Sequence, residues 1–418
     1  MNLTLHLQAL LGIAVFVALA LPLSSNVRRI NWKLVGVAIV LQFVICILLI
    51  KVPVISATFA YVNDLVGALG DATRKGTTFV YGYLGGGTPP FTVTNPNTVV
   101  TFAFQVLPLV IVMSALSALL WYWRVLPLIV RGIAWVFERA LGTRGPAGLG
   151  ATANIFLGQV EAPLLVRPYL ATMSRYELLL LMTAGMATIA GSVMVIYAAM
   201  LGEQFQGVLV QLLIKSIMSV PASILFAHVM LPSEPHSEFE GKDPPRLYTG
   251  AFDAITRGTS DGLNVYLSIL AILIVLIAFV ALLNGAVGLL PQVAGAPLSL
   301  ERVAGWAFAP LAWLMGIPWS EAPTAGSLIG VKTVLNEFIA FLQLADMPPE
   351  ALSERTRLIT IYALCGFANF ASIGIQISGI GAMAPERRHD LADLAIRALV
   401  GATLGSLMTG AIVGIVAF

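Results

Sequence analysis

The sequence is poor in charge. Only 11% of its 418 residues are Asp, Glu, Lys or Arg, against the ~25% of an ordinary soluble domain. A soluble chain of this length needs a charged surface over its core, and 58% hydrophobic residues leave too little polar material to make one. A soluble enzyme is excluded on that ground. Net charge is +2 with no basic tail, so nucleic-acid binding has no support. Cysteine is almost absent. Cys46 and Cys365 both lie in apolar runs and read as small hydrophobes, not as a disulfide or a metal pair. The 4 histidines are scattered without ligand spacing. There is no nucleotide-binding loop, no metalloprotease motif and no Ser/His/Asp arrangement with supporting context. An intramembrane hydrolase would need a nucleophile with an oriented base, and none is visible. No basic region precedes the apolar stretch 3–21 and no small-residue cleavage pattern follows it, so it is expected to be a retained first span.

What the chain has is long apolar runs. Spans are expected at about 3–22, 34–52, 99–122, 209–231, 262–290 and 391–417. Two more, about 176–201 and 354–380, are broken by glycine and small polar residues. Two further apolar regions, about 146–170 and 299–342, hold proline and carboxylates near their middles: Gln159, Glu161 and Pro163 in one, Pro318, Glu321 and Pro323 in the other. An ionisable residue costs several kcal/mol against lipid, so these segments must face protein or water. Non-helical backbone at membrane depth is tolerated only in such places. The expected architecture is therefore all-α and polytopic: eight spans plus two re-entrant helical hairpins.

Basic residues give the orientation. Arg28, Arg29 and Lys33 follow the first span, Arg124, Arg131, Arg139 and Arg144 the third, Lys242, Arg246 and Arg257 the fifth, Arg387 and Arg388 the seventh. Odd spans then end in the cytoplasm, both termini lie outside, and the two hairpins enter from opposite faces. Residues 233–262 form a cytoplasmic connector, 64–75 and 126–141 are amphipathic surface segments, and 85–97 is an outside loop. A weak internal repeat accompanies this: Gln159-Val160-Glu161-Ala162-Pro163 is echoed by Trp319-Ser320-Glu321-Ala322-Pro323, and Gly185-Met186-Ala187-Thr188 by Gly366-Phe367-Ala368-Asn369. Inverted repeats of this kind typify secondary transporters, although three or four matching small residues also arise by chance.

Several polar residues stand where chemistry is possible. Asn154, Gln159 and Glu161 converge around an expected helix break; packing accounts for one amide, less well for two amides and a carboxylate. Thr188, Ile189 and Val193 lie in the interrupted fourth span. Thr188 either bonds back to its own helix, or, if the helix unwinds at Ala190-Gly191-Ser192, joins freed carbonyls and the Asn154 amide oxygen as hard ligands for an alkali cation. Glu337 follows Lys332 by five residues, so an internal salt bridge competes with a role in accepting substrate hydroxyls. Asn369 and Ser372 are three apart and expected on one helix face, with Phe367 as an apolar wall or simple packing. Glu321 is expected at the tip of the second hairpin, in a structural role. Gly401, Gly405, Gly410 and Gly414 form close-packing motifs in the last span.

These residues resemble the signatures of the concentrative nucleoside transporters. The run from Asn154 to Leu164 with Arg167-Pro168, then Asn336-Glu337-Phe338, then Cys365-Gly366-Phe367-Ala368-Asn369 with Ser372 matches them in order along essentially the whole chain. The length resembles the short prokaryotic form. The resemblance implies a homotrimer in the bacterial inner membrane, with an elevator-like transport side built from residues 143–201 and 299–385. Residues 1–142, 202–298 and 386–418 form the remainder. It implies nucleoside uptake driven by sodium, or by protons in some members, and no cofactor. It assigns Gln159, Val160, Glu161 and Val193 to the nucleobase, Glu337, Asn369, Ser372 and Phe367 to the ribose side, and Asn154, Leu157, Thr188 and Ile189 to sodium, Leu157 and Ile189 through backbone carbonyls. Thr188 stands where serine is common. Val160 stands where many members have Thr or Ser, which leaves the accepted bases open. From the residues alone, a passive pore lined by the broken hairpins is the rival.

Overall fold

A computed structural model describes residues 3–93, 101–143, 145–202, 205, 207–232, 247–293, 295 and 297–418. Arg144, Lys242, Arg246, the connector over 233–246 and loop residues 94–97 lie outside these.

All regular structure among the described residues is helical, with no β-strand. The N-terminal part is α1 (Leu3–Ala20), α2 (Trp32–Lys51), α3 (Pro53–Tyr81), α4 (Leu109–Tyr122) and α5 (Val125–Leu141). Then come α6 (Pro146–Ala153), α7 (Glu161–Leu165), α8 (Arg175–Ala187), α9 (Gly191–Leu201) and α10 (Val208–Met230). After the connector follow α11 (Ala251–Val287), α12 (Leu300–Leu314), α13 (Ala322–Val334), α14 (Glu337–Asp346), α15 (Glu354–Leu364), α16 (Phe370–Met383) and α17 (Arg388–Ala417). Among the described residues 7 helical stretches are long and apolar enough to cross a membrane. The expected seventh span, about 354–380, is split into α15 and α16, each too short alone.

Burial separates the helices into layers. In the apolar 18-residue window of the α8–α9 stretch 89% of the residues are buried, whereas in that of α11 12% are. The inner layer is α8, α10 and α17. Its packing uses the last-span glycines as their spacing implied: Gly401 and Gly405 lie against Thr183, Ala222 and Phe226, and Gly410 and Gly414 against Ile359. The base of the first hairpin is tied to α17 by charge. Arg387 donates to the carbonyls of Leu170, Ala171 and Met173 and to Asp390, and Arg175 pairs with Asp390 and Asp393. Arg387 thus does more than mark orientation.

Three expectations are corrected. First, α11 begins at Ala251, well before 262, because Asp253 and Arg257 form an i,i+4 ion pair at 2.8 Å that extends its first turns. Second, the region 299–342 is three helices. α12 and α13 pack antiparallel through Gly305 and Gly326, where a Cβ on Gly326 would sit 2.7 Å from Ala309 N. The chain breaks again at Leu335, and Asn336 caps α14 through Ile339 N. Glu337 therefore opens a new helix. Third, Glu321 precedes α13 and accepts from the Ser353 hydroxyl at 2.8 Å. Its sequence echo with Glu161 joins positions of different kind. Glu161 is the first residue of α7 and Glu337 the first of α14, so these two correspond.

Candidate binding site at the helix breaks

Four breaks in regular helix are joined to one another in the interior: 154–160 between α6 and α7, 188–190 between α8 and α9, 335–336 between α13 and α14, and 365–369 between α15 and α16. Helix ends leave orphan N–H and C=O groups, and here the breaks satisfy each other. Gly191 N–H donates to the Phe156 carbonyl at 2.9 Å, and Phe367 N–H to the Thr188 carbonyl at 3.2 Å. The α8–α9 unwinding falls at 188–190, earlier than Ala190-Gly191-Ser192, because Gly191 already starts α9.

Glu337 is the carboxylate these breaks enclose. One oxygen accepts from the Tyr197 hydroxyl and the other from the Asn369 amide, both at 2.9 Å. The Asn369 Oδ1 accepts from Ser372 N at 2.9 Å, so Asn369 is the N-cap of α16 and not a face-mate of Ser372 along a continuous helix. Gln159 Nε2 then donates to the Ser372 hydroxyl at 3.2 Å, linking the first hairpin to the chain. The competing reading, a Lys332–Glu337 salt bridge, is not formed; Lys332 Nζ donates to the Ala363 carbonyl at 2.8 Å.

On the adjoining breaks lie oxygens with capacity to spare. Asn154 is fully buried, its Nδ2 donates to Gly150 O, and its Oδ1 accepts nothing among the described residues. Buried amide oxygens are rarely left so. Thr188 bonds back to Ala184 O at 2.9 Å, which uses its proton and leaves its lone pairs. The carbonyls of Leu157 and Ile189 accept no backbone hydrogen bond from the described residues. An amide oxygen, a hydroxyl and two carbonyls form a hard, neutral donor set suited to an alkali cation.

The remaining candidates are placed less directly. Glu161 is exposed at the start of α7 and accepts from Gly158 N at 3.0 Å, closing the turn of its own break. Gln159 is buried, and its Oε1 is unpaired among the described residues. Val160 packs its methyls over Gly379 of α16, where a Cβ would lie 2.7 Å from both. Val193 is buried in the first turn of α9, and Phe367 is half-buried and held by its N–H.

Two residues, and the actual partner of a third, escaped the sequence. Tyr197, stacked on Phe341 with ring centroids 4.5 Å apart, supplies a donor to Glu337. Lys215 and Lys332 are both buried, and each places its ammonium on a carbonyl at the end of a half-helix, Ala187 of α8 and Ala363 of α15. The negative end of a helix dipole favours a cation there. A cavity of about 590 Å³ lies beside α7, lined by Leu164, Arg167, Tyr248 and Asp261 among others.

Comparison with known proteins covers nearly the whole chain. Residues 11–84 and 211–414 match the N-terminal and C-terminal family models of the Na+ dependent nucleoside transporters, and 103–204 match a nucleoside-recognition gate model. The nucleoside permease NupC of Helicobacter pylori is 34% identical over 98% of this chain and 97% of its own length. Sodium/nucleoside cotransporter 1 of Mus musculus is 31% identical over 98% of this chain and 64% of its own. A solved structure of CNTnw in an inward-facing, substrate-bound state superposes with a TM-score of 0.89 at 34% identity, covering 99% of this chain and 98% of that one.

Proposed function

The chain belongs to the Na+ dependent, concentrative nucleoside transporter family, and from that premise we propose that it imports nucleosides by cotransport with sodium. It is a membrane transporter and not an enzyme. The observation that carries the proposal is a linkage. The hydrogen-bonded chain Tyr197–Glu337–Asn369–Ser372–Gln159 and the oxygen set of Asn154, Leu157, Thr188 and Ile189 stand on breaks tied by the Phe367–Thr188 and Gly191–Phe156 bonds. A cation that orders one break thereby orders the other, which is the differential interaction that coupling requires.

In this reading Glu337, Asn369 and Ser372 take the ribose, with Phe367 beside it. Gln159, Val160, Glu161 and Val193 take the nucleobase. Asn154 and Thr188 bind sodium with their side chains, Leu157 and Ile189 with their carbonyls. Residues 143–201 and 299–385 move together against the rest in an elevator-like step. The protein works as a homotrimer in the bacterial inner membrane with both termini outside.

The energetics suit the assignment. A nucleoside is neutral, so the membrane potential acts only on the ion. One sodium ion brings ~2.3 kcal/mol per 100 mV, and a tenfold accumulation costs ~1.4 kcal/mol. One ion per nucleoside is enough before its own gradient is counted.

Radiolabelled uridine uptake into proteoliposomes tests the coupling. An inward sodium gradient should drive accumulation and choline should not. Equal uptake in choline, or uptake driven by a pH jump without sodium, would replace sodium with a passive route or with protons.

A further inference from the structure

Each oxygen of a carboxylate carries about two acceptor sites. In Glu337 one site on each oxygen is already taken, by Tyr197 on one side and by Asn369 on the other, each at 2.9 Å. Among the described residues no other side chain donates to either oxygen, so each keeps acceptor capacity. Two equivalent acceptors side by side are what a vicinal pair of hydroxyls needs, and a lone hydroxyl uses only half of them.

The Tyr197 donor is held more firmly than a surface phenol. Its side chain is fully buried on α9. Its ring stacks on Phe341 with centroids 4.5 Å apart and planes inclined by 27°, and it lies 5.8 Å from the Phe338 ring. Both phenylalanines belong to α14, the helix that Glu337 opens. Tyr197 therefore grips the ring face of α14 and its first carboxylate together, and a rotation of Glu337 would break the bond and leave a buried hydroxyl unpaired.

We propose that Tyr197 is a positioning residue for ribose specificity: its hydroxyl fixes the Glu337 carboxylate so that both oxygens face the 2′,3′-diol. This rests on the assignment of Glu337 to the ribose, and it adds a role for a side chain that does not itself touch the sugar. Asn369 is the matching anchor on the other oxygen, but it also caps α16 and is assigned to the ribose, so it answers to three tasks while Tyr197 answers to one.

The test compares two ligands within one variant, which cancels expression and insertion. The ratio of uptake efficiency for uridine over 2′,3′-dideoxyuridine is measured in proteoliposomes for the unaltered protein, Tyr197→Phe and Glu337→Gln. Tyr197→Phe keeps the stack and removes only the donor. The ratio is expected to fall roughly tenfold, the size of one hydrogen bond to a charged group, with the sodium concentration for half-maximal uptake unchanged. An unaltered ratio, or an equal loss for both ligands, overturns the proposal. Glu337→Gln separates the premise: if that variant keeps the full ratio, the ribose assignment fails, whereas loss in Glu337→Gln with no loss in Tyr197→Phe defeats the role of Tyr197 alone. Should Tyr197→Phe not reach the membrane, Phe341→Leu loosens the stack while keeping the hydroxyl. A partial fall in the ratio then supports the role, and none refutes it.

Discussion

The backbone N–H of Phe367 donates to the carbonyl of Thr188 at 3.2 Å, joining the break between α15 and α16 to the break between α8 and α9. Gly366 makes the approach possible. Its φ of +143° is open to glycine and rarely to other residues, and a Cβ there would lie 2.8 Å from the Ala187 carbonyl. One interrupted span ends in the candidate ion ligands Thr188 and Ile189, and the other leads to Asn369 and Ser372. Under the proposed sodium coupling, this bond would link the ion and substrate sites mechanically over a short range.

Asn154→Ala removes the buried Oδ1 that no described residue satisfies. A single lost ligand of this kind is worth ~1–3 kcal/mol. Half-saturation for sodium should rise roughly tenfold or more, while the uridine KM at saturating sodium changes little. Sodium titration of uridine uptake checks this. A rise in uridine KM with no change in sodium dependence would remove Asn154 from the ion site.

Gly366→Ala forces both the unfavourable φ and the 2.8 Å contact with Ala187 O. Gly191→Ala meets only the Phe156 carbonyl at 3.1 Å, with its backbone in a helix. The expected order of melting temperature in detergent is native, then Gly191→Ala, then Gly366→Ala. The last should lose ~1–3 kcal/mol, the usual cost of a strained backbone position. Reversal of that order would mean the breaks yield easily.

Much of this site was legible in the sequence because carboxylates and amides are conspicuous in apolar runs. Glu337, Asn369, Gln159 and Asn154 stood out for that reason, and the structure links the first three by hydrogen bonds and puts Asn154 on an adjoining break. The second hairpin misled for a local reason. Pro318 and Pro323 are strong punctuators and drew the tip towards them, while the break at Leu335 has neither proline nor glycine and is signalled only by Asn336 as a cap. The contacts of Tyr197, Lys215 and Lys332 were illegible because their partners lie 140, 28 and 31 residues away in sequence. No periodicity reports a contact of that range.

Lys215 donates to Ala187 O and to the Ser406 hydroxyl, and no acidic partner is paired with it among the described residues. Desolvating an ammonium costs several kcal/mol, of the same order as the ~1.5–3 kcal/mol returned by each of its two charged hydrogen bonds. Lys215→Met should therefore change the melting temperature little, yet lower transport by freeing the carbonyl that precedes Thr188. Paired melting and uptake measurements check it. A strong fall in melting temperature would make Lys215 a purely structural group.

In the proposed nucleobase pocket, Val160 is the residue expected to bear most on the choice of base. It lies between Gln159 and Glu161 and presses both methyls onto Gly379 of α16. Val160→Thr exchanges one methyl for a hydroxyl at nearly constant volume, so the contact with Gly379 survives. The new hydroxyl adds one donor and one acceptor beside the proposed nucleobase contacts. A site that gains a polar group changes its preference among bases by the worth of one neutral hydrogen bond, ~0.5–1.5 kcal/mol or a few-fold in relative uptake. The uridine-to-adenosine ratio should shift by that amount, and the uridine-to-2′,3′-dideoxyuridine ratio should not, because Glu337 is reached from other helices. Competition assays with both ligand pairs measure the two ratios in one preparation. If the ribose ratio moves and the base ratio stays, Val160 faces the sugar, and the assignment of the 159–161 turn to the nucleobase must be redrawn.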